Sequence, residues 1–244
     1  MRKELISIVT LFLLLVSLSA CRKGGCLENA GNTTRVERKV APFHQVDLYN
    51  DIDLVLTQDS VEQITVETGS NLQPNIVTEV QNGVLTIKNN ATCAWLRNPA
   101  EKTTVYVTFK TLDKINYSGS GDVRSTDTLR LERLDILSDI GAGNVELTVD
   151  AGLVMAYIFN ENADYILHGR ADQCHTYTNA RATIDFSDLT VRYYNMGYGA
   201  IKDTYINVTE QIDLEIYYKG NVYYKGEPKI KTTYHSTGRL IKAP

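Results

Sequence analysis

A short turn of glycine or another small residue recurs about every twenty residues through the second half of this 244-residue chain. Its successive copies are Ser118-Gly119-Ser120-Gly121, Ile140-Gly141-Ala142-Gly143, Asn162-Ala163, Asn179-Ala180-Arg181-Ala182, Gly197-Tyr198-Gly199-Ala200, Lys219-Gly220-Asn221 and Thr237-Gly238. Between them run alternating apolar and polar residues, as in Val145-Glu146-Leu147-Thr148-Val149 and Ile212-Asp213-Leu214-Glu215-Ile216, the period of a half-buried strand. One such unit cannot bury its apolar positions alone, but stacked units share a continuous core. The expected fold is therefore all-β: a single-domain parallel β-helix, with two or three strands of three to five residues in each coil. The small residues mark one corner, where a positive φ or close backbone approach excludes a Cβ. A β-sandwich is the competing arrangement, since evenly spaced strands also suit it; it is disfavoured because the small-residue corner returns in phase.

The first half carries the same alternation at Val46 and Leu48, Leu54 and Leu56, Ile64 and Val66, and Val105 and Val107, and a hairpin signal at Asn82-Gly83. No segment shows a sustained helical stripe. Residues 22–34 are polar and rich in Gly and Asn, a flexible tether, so the organisation reads as 1–20 signal peptide, 21–35 tether and 36–244 β-helix.

The start is a secretory signal: a short charged head, an apolar run from Leu5 to Val16, and small residues before Cys21. Leu18-Ser19-Ala20-Cys21 resembles a bacterial lipobox, which makes Cys21 the lipidation site and the membrane a partner. Two or more acyl chains anchor stably because each buried methylene contributes about 0.8 kcal/mol. Processing removes Arg2, Lys3 and Glu4, taking the formal charge from −4 to about −5. That mildly acidic body has no basic patch for nucleic acid. The expected location is the bacterial cell envelope, at the outer membrane. Arg22-Lys23-Gly24-Gly25 lacks the acidic run associated with surface export of lipoproteins, which leans toward the periplasmic face.

Three cysteines remain. Cys26 and Cys93 are the preferred disulfide pair, closing a long loop for about 4 kcal/mol in the chain-entropy model. Cys174 is then an odd thiol, read as a small buried hydrophobe.

Several passages, taken in order, resemble the family described as putative auto-transporter adhesin, head GIN domain: Val40-Ala41-Pro42-Phe43-His44-Gln45-Val46, Asp53-Leu54-Val55-Leu56-Thr57-Gln58, Gly69-Ser70-Asn71-Leu72, Asn82-Gly83-Val84-Leu85 and Tyr117-Ser118-Gly119-Ser120-Gly121-Asp122-Val123. The resemblance covers nearly all of the mature chain and implies a right-handed, pectin-lyase-like parallel β-helix, often on a lipoprotein of Bacteroidetes-type bacteria. It transfers no catalytic residue.

The residues themselves supply no strong catalytic motif. Gly119-Ser120-Gly121 and Gly141-Ala142-Gly143 lack the third glycine and the helix of a dinucleotide site. His44, His168, His175 and His235 have no ligand spacing around them, so no cofactor or metal is expected. Asp135, Asp139, Asp185, Asp188 and Asp213 are the acids that alignment across coils would bring together in a carbohydrate-active enzyme, the alternative reading. The distinctive residue is tyrosine: twelve of fifteen fall after residue 150. In Tyr193-Tyr194, Tyr217-Tyr218 and Tyr223-Tyr224 one ring of each pair should face outward. Tyr194, Tyr198, Tyr218 and Tyr224 are the expected binding strip, for sugar rings or a protein partner. The leading functional reading is thus a non-catalytic binding or adhesion lipoprotein whose ligand is a glycan, matrix component or envelope protein. The last strand, ending in Lys242-Ala243-Pro244, is an edge through which oligomerisation is an open possibility.

Overall fold

The computed structural model describes residues 29–91, 102–159 and 162–244. Its regular part is a stack of long strands: β10 (Leu129–Ser138), β11 (Asn144–Ile158), β12 (Asp164–Thr178), β13 (Ile184–Tyr198) and β14 (Thr204–Ile216) follow nine shorter strands in the chain, and each pairs in parallel with the next. The register steps by twenty residues along Leu129, Val149, Gly169 and Leu189. It shortens to eighteen along Tyr194, Ile212 and Ile230. All these ladders are parallel, which fixes a β-solenoid of about six turns rather than a sandwich.

The strands are much longer than the expected three to five residues, because one corner of each coil is made without breaking the strand. In β11, Val145, Leu147, Val149 and Ala151 point inward, then Val154, Ala156 and Ile158. The parity slips at Gly152-Leu153, and the same slip recurs at Asp172-Gln173 and Arg192-Tyr193, while β14 makes the bend with three outward residues, Thr209 to Gln211, and a register shift against β13. Two consecutive outward residues, three in β14, turn the ribbon while the ladder continues on both sides. Each long strand thus contributes its first part to one wall and its last part to a second.

The opposite corner is the small-residue turn. Gly121 and Gly143 do not need a positive φ there; close approach is what selects them. A Cβ on Gly121 would lie 2.1 Å from the carbonyl oxygen of Ile52, and one on Gly143 would lie 2.4 Å from that of Gly121. Tyr117 reaches from the core to tie this corner, donating to Gly121 O at 2.8 Å and accepting from Gly143 N at 2.9 Å.

The first half is interleaved rather than stacked in order. Strands β1 (Thr33–Arg38), β2 (Gln45–Asn50), β3 (Asp53–Gln58), β4 (Gln63–Gly69), β5 (Ile76–Gln81), β6 (Val84–Asn89), β7 (Thr104–Phe109), β8 (Lys114–Gly119) and β9 (Val123–Ser125) precede the long strands. On one wall β3 lies between β7 and β9, and on the other β2 lies between β6 and β8, all in parallel. Beyond them the ladder turns antiparallel: β4 pairs with β7, β1 with β4, and β5 with β6. The β5–β6 connection is the expected Asn82-Gly83 hairpin, with φ of 52° and 78°, the pair of positive values a tight hairpin turn requires. The described order begins before the expected boundary at residue 36, because β1 starts at Thr33 and Ala30 is already buried against Gly69. At the far end β15 (Val222–Lys225), β16 (Lys229–Tyr234) and β17 (Leu240–Lys242) complete the walls, each pairing in parallel with the coil before it.

Inside, equivalent residues sit over one another. One apolar column runs Leu134, Val154, Cys174, Tyr194 and Ile212. Another runs Val145, Tyr165, Ile184, Thr204 and Val222, and all of these are buried. Burying one such large apolar side chain contributes about 1.5–3 kcal/mol, so the summed columns hold the solenoid together. Cys174 is buried, as its reading as a small hydrophobe requires, and its thiol lies 3.8 Å from Thr176 Oγ1. Cys21, Cys26 and Cys93 lie outside the described residues.

A candidate binding cleft on the second wall

The expected tyrosine strip does not form. Tyr194 and Tyr198 are buried in the core, at 2% and 1% exposure. Parity is the reason: after the slip at Arg192-Tyr193, positions 194, 196 and 198 face inward. There the Tyr194 hydroxyl meets Thr176 Oγ1 at 2.9 Å, and burial pushes its pKa well up. Tyr198 donates to the carbonyl of Lys202 and ties a corner as Tyr117 does. Tyr224 lies on the register row of Phe186 and Ile206 and packs against the core. Tyr218 alone of the four is well exposed, in a corner turn with the Lys219 ammonium 5.7 Å from its ring centre. The outward ring of the first pair is Tyr193. In the second pair both rings are exposed, because Tyr217 lies just past the end of β14.

The aromatic groups that do assemble follow the register. Twenty residues separate Tyr157 from Tyr177, and the next outward position in that row is Gly197, followed by Glu215. Tyr157 and Phe159 stack at 6.5 Å, and Phe159 meets Tyr177 at 5.6 Å. On the other side of Gly197 the Tyr217 ring stacks on His235 at 4.7 Å with 1° between planes. A cleft of about 440 Å³ lies between the two aromatic groups, with Gly197 in its lining and the Tyr177 ring packed over that glycine. Its floor and rim carry His175, Asn195, Asp213, Glu215 and Lys231. The size lies within the range of small-molecule sites. Nothing in the composition marks these residues; adding the coil period to Tyr157 reaches Tyr177 and Gly197, and the others follow only from the register of β12 to β14.

Glu215 accepts a hydrogen bond from the Tyr217 hydroxyl at 2.6 Å and lies 3.2 Å from His235 Nε2. These hydrogen bonds lower the Glu215 pKa and raise that of Tyr217, so the carboxylate stays ionised. Asp213, two residues earlier on the same face, has Oδ2 occupied by Gln211 Nε2 at 2.7 Å. Its other oxygen, Oδ1, is the single buried side-chain polar atom without a hydrogen-bond partner among the described residues. An acceptor left so costs about 1–3 kcal/mol, and more when charged.

The five acids expected to align do not meet. Asp135 shares a register row with Asp213, but Met155, His175 and Asn195 lie between them, and Arg133 holds Asp135 at 2.7 Å. Asp185 accepts from Ser187 N at 3.0 Å, and Asp188 lies 3.6 Å from His168, both away from the cleft. Asp139 sits in a corner turn. Of the histidines, His44 faces Asp113 at 3.5 Å and His168 faces Glu146 at 3.2 Å. Among the described residues no three His, Cys, Asp or Glu side chains come together as a metal site.

These features define a small parallel β-solenoid with an open, aromatic-walled cleft on one wall. The chain belongs to the family described as putative auto-transporter adhesin, head GIN domain, whose model matches residues 42–228. Solved structures of similar fold include a putative adhesin from Bacteroides fragilis NCTC 9343, with a TM-score of 0.81 at 22% identity over 87% of this chain and 97% of the other. A putative lipid binding protein from Parabacteroides distasonis ATCC 8503 aligns with a TM-score of 0.69 at 20% identity, covering 88% and 98%. A putative adhesin from Parabacteroides merdae ATCC 43184 gives 0.62 at 17% identity, again over 88% and 98%. At these identities the likeness is one of fold. No curated protein matches the sequence significantly.

Proposed function

We propose that this protein is a non-catalytic binding lipoprotein of the bacterial cell envelope, held to the outer membrane through Cys21, which takes a glycan in the cleft around Gly197. The observation that carries the reading is the pairing of exposed tyrosine rings with carboxylate and amide groups in one open cleft. Aromatic faces offer apolar area to the C–H face of a sugar ring, while Asn195, Asp213 and Glu215 offer hydrogen-bonding partners to its hydroxyls. Membership in a family described as putative auto-transporter adhesin and the lipobox-like Leu18-Ser19-Ala20-Cys21 support the same role.

The enzymatic alternative is less well supported. Glycoside hydrolysis needs one carboxyl kept protonated by a raised pKa as general acid. Glu215 is shifted the other way by Tyr217 and His235. The test is a glycan array probed with the purified chain and with Tyr177→Ala. Recognition of a glycan class by the parent and its loss in the variant supports the reading; equal signals from both proteins overturn the cleft. Anchoring is tested separately: Cys21→Ser should move the protein from the detergent phase to the aqueous phase.

A further inference from the structure

The cleft does not end at Asp213. A second depression, lined by Gln173, Tyr193 and Gln211, shares His175, Asn195 and Asp213 with it. The two form one groove that runs along the strands, from Tyr193 at the in-strand bend to Tyr217 at the small-residue corner. Along β14 and its continuation it spans the six residue steps from Gln211 to Tyr217, roughly 20 Å at 3.3 Å per residue. That is several sugar rings long. An aromatic platform stands at each end: Tyr193 is 40% exposed, braced by the Arg192 guanidinium at 5.1 Å, and Tyr177 and Tyr217 flank the other. Between the platforms the groove is lined by the Asp213 carboxylate.

Charge restricts what such a groove accepts. Two carboxylates, Asp213 and Glu215, stand two residues apart on the same face of β14, and Glu215 is held ionised. The groove's cationic side chain, Lys231, lies on the following strand, and its attraction already acts on Glu215. A uronate or sulfate group placed along this floor would meet like charge, whereas a hydroxyl can donate to the carboxylates of Asp213 and Glu215 that line it.

Resting on the glycan reading of this site, we infer that the groove takes an uncharged, unbranched oligosaccharide laid along the strands, with Asp213 accepting a hydrogen bond from a sugar near its middle. The full chain, purified in detergent, is titrated calorimetrically with neutral cello-, xylo- and mannooligosaccharides from the monosaccharide to the hexamer. Oligogalacturonates of the same lengths are the charged comparison. A neutral series should bind with affinity rising at least about tenfold with length, and the oligogalacturonates should not bind. Tyr193→Ala should erase the gain from length and leave the shortest ligands unaffected. Asp213→Asn should weaken every length by about tenfold, with melting curves confirming that both variants are folded. Binding of the galacturonates in preference to the neutral sugars overturns the inference while leaving the glycan site standing. So does affinity independent of length. Absence of binding in every series overturns the glycan reading itself, and this inference with it.

Discussion

The ring of Tyr177 lies over Gly197, so close that a β-carbon at position 197 would sit 2.6 Å from Tyr177 Cδ2. The two residues are register partners of neighbouring coils, Tyr177 on β12 and Gly197 on β13, and the ring fills the space that any other residue at 197 would take. Gly197→Val should therefore push the ring aside and fill the cleft floor. Gly197 does not have a positive φ and its neighbour is a surface side chain, so the fold should tolerate the change, with a cost below about 1 kcal/mol. Loss of glycan binding beside an unchanged melting temperature is the expected result; full retention of binding shows that the cleft shape does not matter.

The corner glycines should behave oppositely. A Cβ on Gly143 meets the Gly121 carbonyl oxygen at 2.4 Å and the Tyr117 hydroxyl at 2.6 Å. The first is backbone and the second is a buried side chain, so neither can swing away. Gly143→Ala should cost about 1–3 kcal/mol, as overpacking does, while Gly197→Ala should cost far less. Thermal denaturation of the two variants side by side makes the comparison.

Much of this was legible before any coordinates. Alternation and the in-phase small residues point to a parallel solenoid, because a repeating corner has to repeat its steric demand, and Gly121 and Gly143 meet that demand. The hairpin at Asn82-Gly83 is equally local. The parity slip at Gly152-Leu153 was not legible, because nothing in residue type distinguishes two consecutive outward positions from a strand end. Without it the inward and outward members of Tyr193-Tyr194 exchange, and Tyr194 and Tyr198 read as outward positions. The cleft was hidden for a related reason: Tyr157, Tyr177 and Glu215 are neighbours only once the exact register of β11 to β14 is known. The interleaving of β2 and β3 between later strands was hidden too, since strand order along a wall leaves no mark in composition.

The core columns and the surface ion pairs should differ sharply in weight. Leu147 is fully buried, and Leu147→Ala should cost about 2–5 kcal/mol through lost burial and the cavity left behind. Arg170 and Asp150 form a bidentate pair, 2.8 and 2.6 Å, on the outside of the in-strand bend. They raise and lower one another's pKa in the expected directions, but both are exposed to solvent. Screening by water leaves such pairs little net effect. Urea denaturation of Arg170→Ala should give a midpoint close to that of the parent, and a loss matching Leu147→Ala would show that the exterior ladder, and not the core, holds the bend.

Alkaline pH should reveal the buried thiol. Burial raises the Cys174 pKa from 9.0 to about 12, partly offset by hydrogen bonding to Thr176 and Tyr194. The folded state therefore prefers the protonated thiol. Its contribution to stability is complete below the unfolded value near 9, and it is lost as pH rises toward 12, because the unfolded chain gives up the proton first. Three units correspond to a loss on the order of 4 kcal/mol. Tyr194, shifted upward by the same burial, adds to the loss in the same direction above its own unfolded value near 10. Denaturant midpoints measured from pH 8 upward should fall steeply for the parent and less steeply for Cys174→Ala, after allowing for the cavity cost common to every pH. In the same range a thiol reagent at pH 8 should label Cys174 only after unfolding. Rapid labelling of the native protein, or identical pH slopes for the two proteins, would show that the thiol is not sealed in the column between Val154 and Tyr194.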